Sequence, residues 1–420
     1  MTYRISSLSA IEILDSRSRP TVAVNLALEG AAPVTAGVPS GASTGTREAV
    51  ELRDGDKGRY GGLGVLRAVG NVNGEIAGAL VGREFADLAE LDRALIDLDG
   101  TATKSRLGAN AIVGVSMAAA RALAHERGVA LWRHLGPQGV TPRLPVPHFN
   151  VINGGAHAAN NLDFQEFMIA PLGAPSLAEA VRAGAEIYAK LRALLAGAEH
   201  SVGLGDEGGF APQVDTPEDV LALLVHAIED AGYRAGRDGV AIALDPAASE
   251  FYRGGTYQVA GEKLSSEEMI ERYARIVERF PVYSIEDGLA EDDWDGWARL
   301  NARLGDRAQL VGDDVLVTNP AIVAEAIAKN IANAALIKIN QIGTVTETLE
   351  TMRLCREAGW AAMVSHRSGE TPDDFIADLA VGTGCGQIKT GAPARGERVA
   401  KYNRLITIEA GALGLRYGPR

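Results

Sequence analysis

The chain has 420 residues, 46% hydrophobic and 23% charged, enough apolar surface for a large packed core and too much for a disordered protein. A formal net charge of −13 offers no field that draws nucleic acid or an anionic membrane, and a small anionic substrate needs local positive charge to offset it. Cys355 and Cys385 are too few for a disulfide framework, no basic segment with a following apolar run opens the chain, and no stretch reaches the roughly 18–20 apolar residues of a membrane span. A cytoplasmic location is therefore expected.

Residues 1 to about 60 read as strands and turns, with clear alternation over residues 20–26. Residues 38–45, VPSGASTG, hold too much Gly and Ser for a helix and form a loop able to close over a ligand. From about 62 to 135 the pattern is helical, strongest over residues 111–125. Residues 136–142, GPQGVTP, mark a boundary, giving units 1–136 and 137–420.

Beyond the boundary, short apolar runs end in a polar residue and a helical stretch follows. The runs end at Asp245, Glu286, Asp313, Lys338, His366 and Lys389, at spacings of 23 to 41 residues. That is the length of a strand, a helix and two loops, so a βα repeat is predicted, closing into a (β/α) barrel of parallel strands. Residues 162–169 and 202–207 read as shorter strands that complete the ring, with helices over 176–195 and 216–231 between them. The second helix opens on a capping pattern, Asp215-Thr216-Pro217-Glu218.

In such a barrel the strand ends form one rim. Asp245, Glu286 and Asp313 would repel there unless protonated or bound to a cation, and all-oxygen ligands suit a hard ion such as Mg²⁺. Alternation turns Glu286 and Asp313 inward rather than Asp287 and Asp314. The plainer reading of each acid is a helix N-cap. Lys338 faces the same mouth. Burial and neighbouring cations lower its pKa toward that of a general base, whereas the plainer alternative is an ion pair with an acid such as Asp314. Lys389, His366, Arg367 and Ser368 add a cationic wall for phosphate and carboxylate. Glu166 and Glu207 stand opposite, suited to protonating a leaving hydroxide. The glycines around Glu207, in GDEGGF, are expected to admit substrate closely, and His157 lies on a glycine-rich loop.

The ordered series VPSGASTG, KSRLGANAIVGVSMA, QEFMIAP, GDEGGFAP, SIEDGLAEDDW, GDDVLVTN, KINQIGT, VSHRSGET and GQIKTGAPARGERVAKYN spans almost the whole chain. It resembles the enolase family. The resemblance implies an α+β N-terminal domain followed by a variant (β/α)8 TIM-type barrel. It implies reversible dehydration of 2-phospho-D-glycerate to phosphoenolpyruvate with two Mg²⁺, the second bound with substrate. By motif, Asp245, Glu286 and Asp313 would hold the first ion and Ser43 the second. Lys338 would take the C2 proton, and Glu207 beside Glu166 would assist loss of the C3 hydroxide. Lys389 would stabilise the intermediate. Arg367 and Ser368 would grip phosphate, with His366, His157 and Gln165 completing the pocket.

A homo-oligomer with altered interface salt bridges is also implied. Ile11, Ala23 and Thr407 replace charged residues that typically pair across subunits, one of them with the position of Glu397. Ser18, Arg19, Pro246, His148 and Pro372-Asp373-Asp374 depart from the pattern too. Two alternatives stand beside hydratase: a paralogue acting on a phosphonate analogue, like carboxyphosphonoenolpyruvate synthase, and a non-catalytic enolase-like binding or structural protein.

Overall fold

The chain opens with a long antiparallel pair, β1 (Tyr3–Leu14) against β2 (Pro20–Leu28). With β3 (Val34–Gly37) and β4 (Glu84–Phe85) they make a sheet in the order β3-β2-β1-β4. The computed structural model describes residues 2–42 and 44–418. Helix Ala109–Glu126 lies on β2 and buries nearly all of it. Gly114 permits that approach, because a β-carbon there would stand 2.6 Å from the Val24 side chain.

The second unit is a closed barrel. Its strands are β5 (Val146–Asn153), β6 (Glu166–Ala170), β7 (Ala241–Asp245), β8 (Val282–Glu286), β9 (Gln309–Gly312), β10 (Ala334–Ile337), β11 (Ala361–Ser365) and β12 (Gln387–Lys389). Neighbours are parallel except at β6, which runs antiparallel to both β5 and β7. The main elements follow as two strands, two helices (Leu177–Gly197 and Pro217–Asp230), then six strand–helix units. Thr216 caps the second of those helices through the Asp219 N–H, with Pro217 in its first turn.

Two expectations are corrected. Residues 202–207 form a loop, not a strand, held by bridges from Phe210 to Leu204 and Ile152. The missing strand is β5, whose signal Pro147 and the absence of a following helix obscured. The expected strand at 162–169 starts later, at Glu166, and runs backwards. Its first residue, not its last, therefore lies at the rim, opposite Asp245.

The parallel strands are buried almost throughout, as expected of a ring covered on both faces. Ala334 and Leu336 of β10 cluster with Val311 and Met363 inside the ring, while Ala335 and Ile337 join the core under the helices. Two positions after Leu336, the same parity brings Lys338 inward. The ring's floor is polar. Gln309 and Gln387 exchange amide hydrogen bonds of 2.9 and 2.8 Å. His148 Nδ1 donates to the Val146 carbonyl at 3.2 Å, and its Nε2 accepts from the Tyr283 hydroxyl. Burial holds the imidazole down at about 4, hence neutral. The unusual His148 thus packs the floor and not the rim.

The N-terminal unit covers the barrel mouth. Ser40 and Gly369 exchange backbone hydrogen bonds of 2.7 and 2.8 Å, Ala49 N–H donates to the Gln341 carbonyl, and Glu48 accepts from Arg367 at 3.0 and 3.1 Å. Further down, Arg121 makes a bidentate pair with Asp373 at 2.6 and 2.8 Å, and Asp373 also accepts from the Gly37 and Phe375 N–H groups, each at 2.9 Å. Burial acts to raise the Asp373 carboxyl, but Arg121 outweighs it and holds the group below its ordinary value.

A group depressed on folding contributes stability above its unfolded pKa, about 4, and loses it as pH falls through the folded value. Arg121→Ala should therefore cost roughly 3 kcal/mol in urea unfolding at pH 7. The deficit should narrow once Asp373 protonates in acid. Equal unfolding midpoints at pH 7 would contradict this account of the contact between the two units.

Candidate active site

Strand parity and the reversed β6 bring the charged residues to one rim. Asp245 and Glu286 end β7 and β8, Asp313 and Lys338 follow β9 and β10, His366 follows β11, and Lys389 ends β12. All are buried. Lys389 Nζ donates to Glu286 Oε1 at 2.7 Å, Glu166 Oε1 at 3.2 Å and Asp245 Oδ2 at 3.3 Å. Lys338 Nζ donates to Asp313 Oδ2, whose other oxygen accepts from Gln341 at 2.8 Å. Four carboxylates thus share two ammonium groups.

The surplus of acid shifts the ionisation of these groups. Burial, then Asp245, pushes Glu286 well above the usual carboxylate range. Burial works to lower Lys389, but Glu166, Glu286 and Asp245 together hold it well above the ordinary lysine value. The expected lowering of Lys338 is not found. Burial acts downward, yet direct contact with Asp313 prevails and holds Lys338 above its ordinary value. Its partner is Asp313, not the Asp314 of the plainer alternative.

Across the mouth, Glu166 and Glu207 are driven apart. Burial and the Glu207 charge push Glu166 well up. Burial would raise Glu207 as well, but His366, His157 and Arg398 outweigh it and hold Glu207 well below its usual value. The two environments thus favour the proton on Glu166 and the charge on Glu207. His366 Nε2 lies 3.1 Å from Glu207 and Asn150 donates to Glu207 at 3.0 Å. His157 Nδ1 stands 3.7 Å from Glu207 and 3.8 Å from Glu166. Two of the glycines of GDEGGF have a packing purpose. β-Carbons at Gly205 and Gly209 would stand 2.6 and 2.8 Å from the Asn153 side chain, so they seat the loop on β5.

Arg367 is fixed by Glu48 and by Asn340 at 3.0 Å, and Ser368 Oγ accepts from Arg17 at 3.1 Å. Ser43 lies outside the described residues. Sequence reasoning gave no role to Arg398, which is fully buried and donates at 2.6 Å to His366 Nδ1 and to the carbonyls of Arg367 and Ser368. This bond makes Nδ1 the acceptor and leaves the Nε2 proton facing Glu207. It also missed Glu48, Arg17, Asn150 and Gln341. Arg398 and Gln341 lie within the quoted motifs, but no spacing marks any of these residues, since Glu48 and Arg367 are 319 positions apart.

The cavity lined by His157, Gln165, Glu166, Glu207, Lys338, Ser365, His366, Arg367, Ser368 and Lys389 measures about 10 Å³, room for roughly one water. A second cavity of about 280 Å³ is lined by Gly41, Thr44, Glu48, Glu51, Asn110 and Asn340. A cavity of about 350 Å³ at the barrel foot around Trp360 carries none of these charges.

The mouth suits a divalent cation. Its donors are carboxylates in excess of the ammonium groups, and Glu286 Oε2 and Glu166 Oε2 are buried without a hydrogen-bond partner among the described residues. As it stands, Lys389 and Lys338 occupy the space among Asp245, Glu286 and Asp313. The groups of three that approach within 4.8 Å among the described residues are His157/Glu166/Glu207 and Asp287/Asp313/Asp314.

A closed barrel with acids, lysines and an imidazole at its C-terminal mouth, capped by a separate domain, defines a barrel enzyme that handles negative charge. Residues 5–135 match the family model "Enolase, N-terminal domain", and residues 141–415 match "Enolase, C-terminal TIM barrel domain". The chain is 59% identical over 400 residues to "Enolase" of Rubrobacter xylanophilus, covering 95% of this chain and 93% of that one. The chain belongs to the enolase family and is a phosphopyruvate hydratase, a carbon–oxygen lyase. The phosphonate-acting and non-catalytic alternatives are not favoured.

Lys389→Met removes the ammonium shared by three buried acids. The metal-free protein should melt lower, by roughly the 3–5 kcal/mol of a broken buried ion pair. Mg²⁺ should raise its melting temperature by more than it raises the parent's. Calorimetry in chelator and in MgCl₂ reads both, and an unchanged melting temperature in chelator would count against the shared ammonium.

Proposed function

We propose that the dehydration is divided between two sides of the mouth. Lys338 Nζ takes the C2 proton of 2-phosphoglycerate, and the electron pair moves into the adjacent carboxylate, which becomes doubly negative. The C3–O bond then breaks, the C2–C3 double bond forms, and the departing hydroxide takes a proton from the Glu166/Glu207 pair to leave as water. Lys389 would stabilise the second negative charge as it develops. Arg367 and Ser368 bind the phosphate, and His366, His157 and Gln165 enclose the substrate. Gln165 fits that use, because its buried Oε1 has no hydrogen-bond partner among the described residues.

The ion that Asp245, Glu286 and Asp313 would hold, with a second at Ser43, is Mg²⁺, and it supplies charge neutralisation at the substrate carboxylate. Lys338, as seen here, is an ammonium bound to Asp313. It must give up that proton before it acts as a base, so this contact is the resting arrangement. The cavity of about 10 Å³ must also open to admit substrate. The observation that carries the reading is the two-sided distribution of charge, Lys338 with Asp313 on one flank and the split glutamate pair on the other, with Lys389 joining Glu166 to Asp245 and Glu286 between them.

The same reading divides the chain at 136/137 and places it in the cytoplasm. Among the described residues no helix is long and apolar enough to cross a membrane. It also gives a homo-oligomer whose contacts are less ionic than is usual for the family. Ile11, 54% exposed, pairs in register with Ala23, and Leu14 is equally exposed on the same strand.

Lys338→Ala should lose roughly 10²–10⁴-fold in turnover, followed as phosphoenolpyruvate absorbance with and without chelator. It should also lose exchange of the C2 proton with deuterated solvent. Glu207→Gln should lose turnover but keep that exchange. If Lys338→Ala exchanges at the parent's rate, Lys338 is not the base.

A further inference from the structure

Asp287 follows Glu286 and is buried, yet the roles above leave it unused. Its φ is +42°, a left-handed conformation that residues with a β-carbon disfavour. Such a backbone persists where its surroundings enforce it. Here the surroundings are the neighbouring strand ends. Asp287 Oδ1 accepts from the Asp313 N–H at 2.8 Å, and Oδ2 accepts from the Asp314 N–H at 2.9 Å. The Asp287 N–H donates to the Val311 carbonyl at 2.9 Å, and its own carbonyl accepts from the Ala248 N–H at 3.0 Å. Ala248 lies in the turn that leaves β7, where the Ala247 N–H donates to Asp245 Oδ1 at 2.9 Å. One residue is therefore bonded to the turn after Asp245, is adjacent to Glu286, and grips the backbone that carries Asp313.

We propose that Asp287 is a positioning residue, setting the mutual placement of Asp245, Glu286 and Asp313 for a shared divalent cation. The inference rests on the proposed role of those three acids. Asp287, Asp313 and Asp314 each bring an oxygen into a group within 4.8 Å. Both Asp287 oxygens already face N–H donors, so its work is on the backbone rather than on an ion. Groups behind a metal ligand typically control affinity by 10–100-fold when removed, because they fix the ligand's orientation.

The strain and the grip make opposite predictions for glycine. Asp287→Gly suits a positive φ and should be tolerated if the turn is all that matters. It also deletes both acceptors, and should weaken binding if the grip matters. Asp287→Asn keeps the shape and one acceptor but turns an amide N–H₂ toward the other N–H.

The test is calorimetric titration of MgCl₂ into the chelator-stripped full chain, for the parent, Asp287→Asn, Asp287→Gly and the reference Asp245→Asn. Metal-free melting is measured alongside. We expect Mg²⁺ affinity to fall roughly 10-fold for Asp287→Asn and further for Asp287→Gly, with Asp287→Asn melting near the parent without metal. Affinities within twofold of the parent for both, while Asp245→Asn binds poorly, would overturn the proposal. So would a loss confined to metal-free melting. If Asp245→Asn also binds like the parent, the reading of the three acids fails, and the proposal fails with it. Should Asp287→Gly not fold, Asp287→Asn decides alone.

Discussion

The site depends on one electrostatic constraint: four buried carboxylates meet two ammonium groups at the mouth of a closed ring. Two cations cannot neutralise four anions in a medium that penalises charge. The excess pushes Glu286 and Glu166 toward protonation and holds Lys389 firmly charged. A divalent cation would settle the imbalance without protonating the acids. The cost of burying Lys338 is met the same way, since Asp313 answers its charge inside the barrel. A lysine between two isoleucines is therefore a consequence of strand parity, with the interior side of β10 running from Leu336 to Lys338.

The second constraint is closure. The N-terminal unit does not merely flank the barrel. Glu48 grips Arg367, Arg17 reaches Ser368, and the Ser40–Gly369 bridge joins the two units beside the site. From behind, Arg398 ties His366, Arg367 and Ser368 into one rigid segment. Chemistry that creates a second negative charge on a carboxylate benefits from excluded water, because cations act more strongly there. The small cavity is the structural form of that exclusion.

The barrel was legible where sequence obeyed a local rule. Apolar runs ending in Asp245, Glu286, Asp313, Lys338, His366 and Lys389 repeat at βα spacing, and all six lie at strand ends or one residue beyond. β5 was not legible and the direction of β6 was not, because the two form an antiparallel pair inside a mostly parallel ring and break the rhythm. The loop at 202–207 read as a strand because Val202 and Leu204 alternate with glycine. The state of Lys338 was misjudged for a different reason. Burial and neighbouring cations were weighed, but whether an acid stands in contact is a matter of side-chain geometry. Arg398, Glu48 and Asp287 act through backbone or through partners distant in sequence, and neither leaves a local pattern.

The account's central claim is that acids from three successive strands, not the neighbouring groups, form the cation site. A crystal soaked in Mn²⁺ and measured at the manganese absorption edge tests this directly. The account predicts anomalous density bounded by Asp245, Glu286 and Asp313, with Lys338 released from Asp313. Density confined to Asp287, Asp313 and Asp314, or to His157, Glu166 and Glu207, would contradict it.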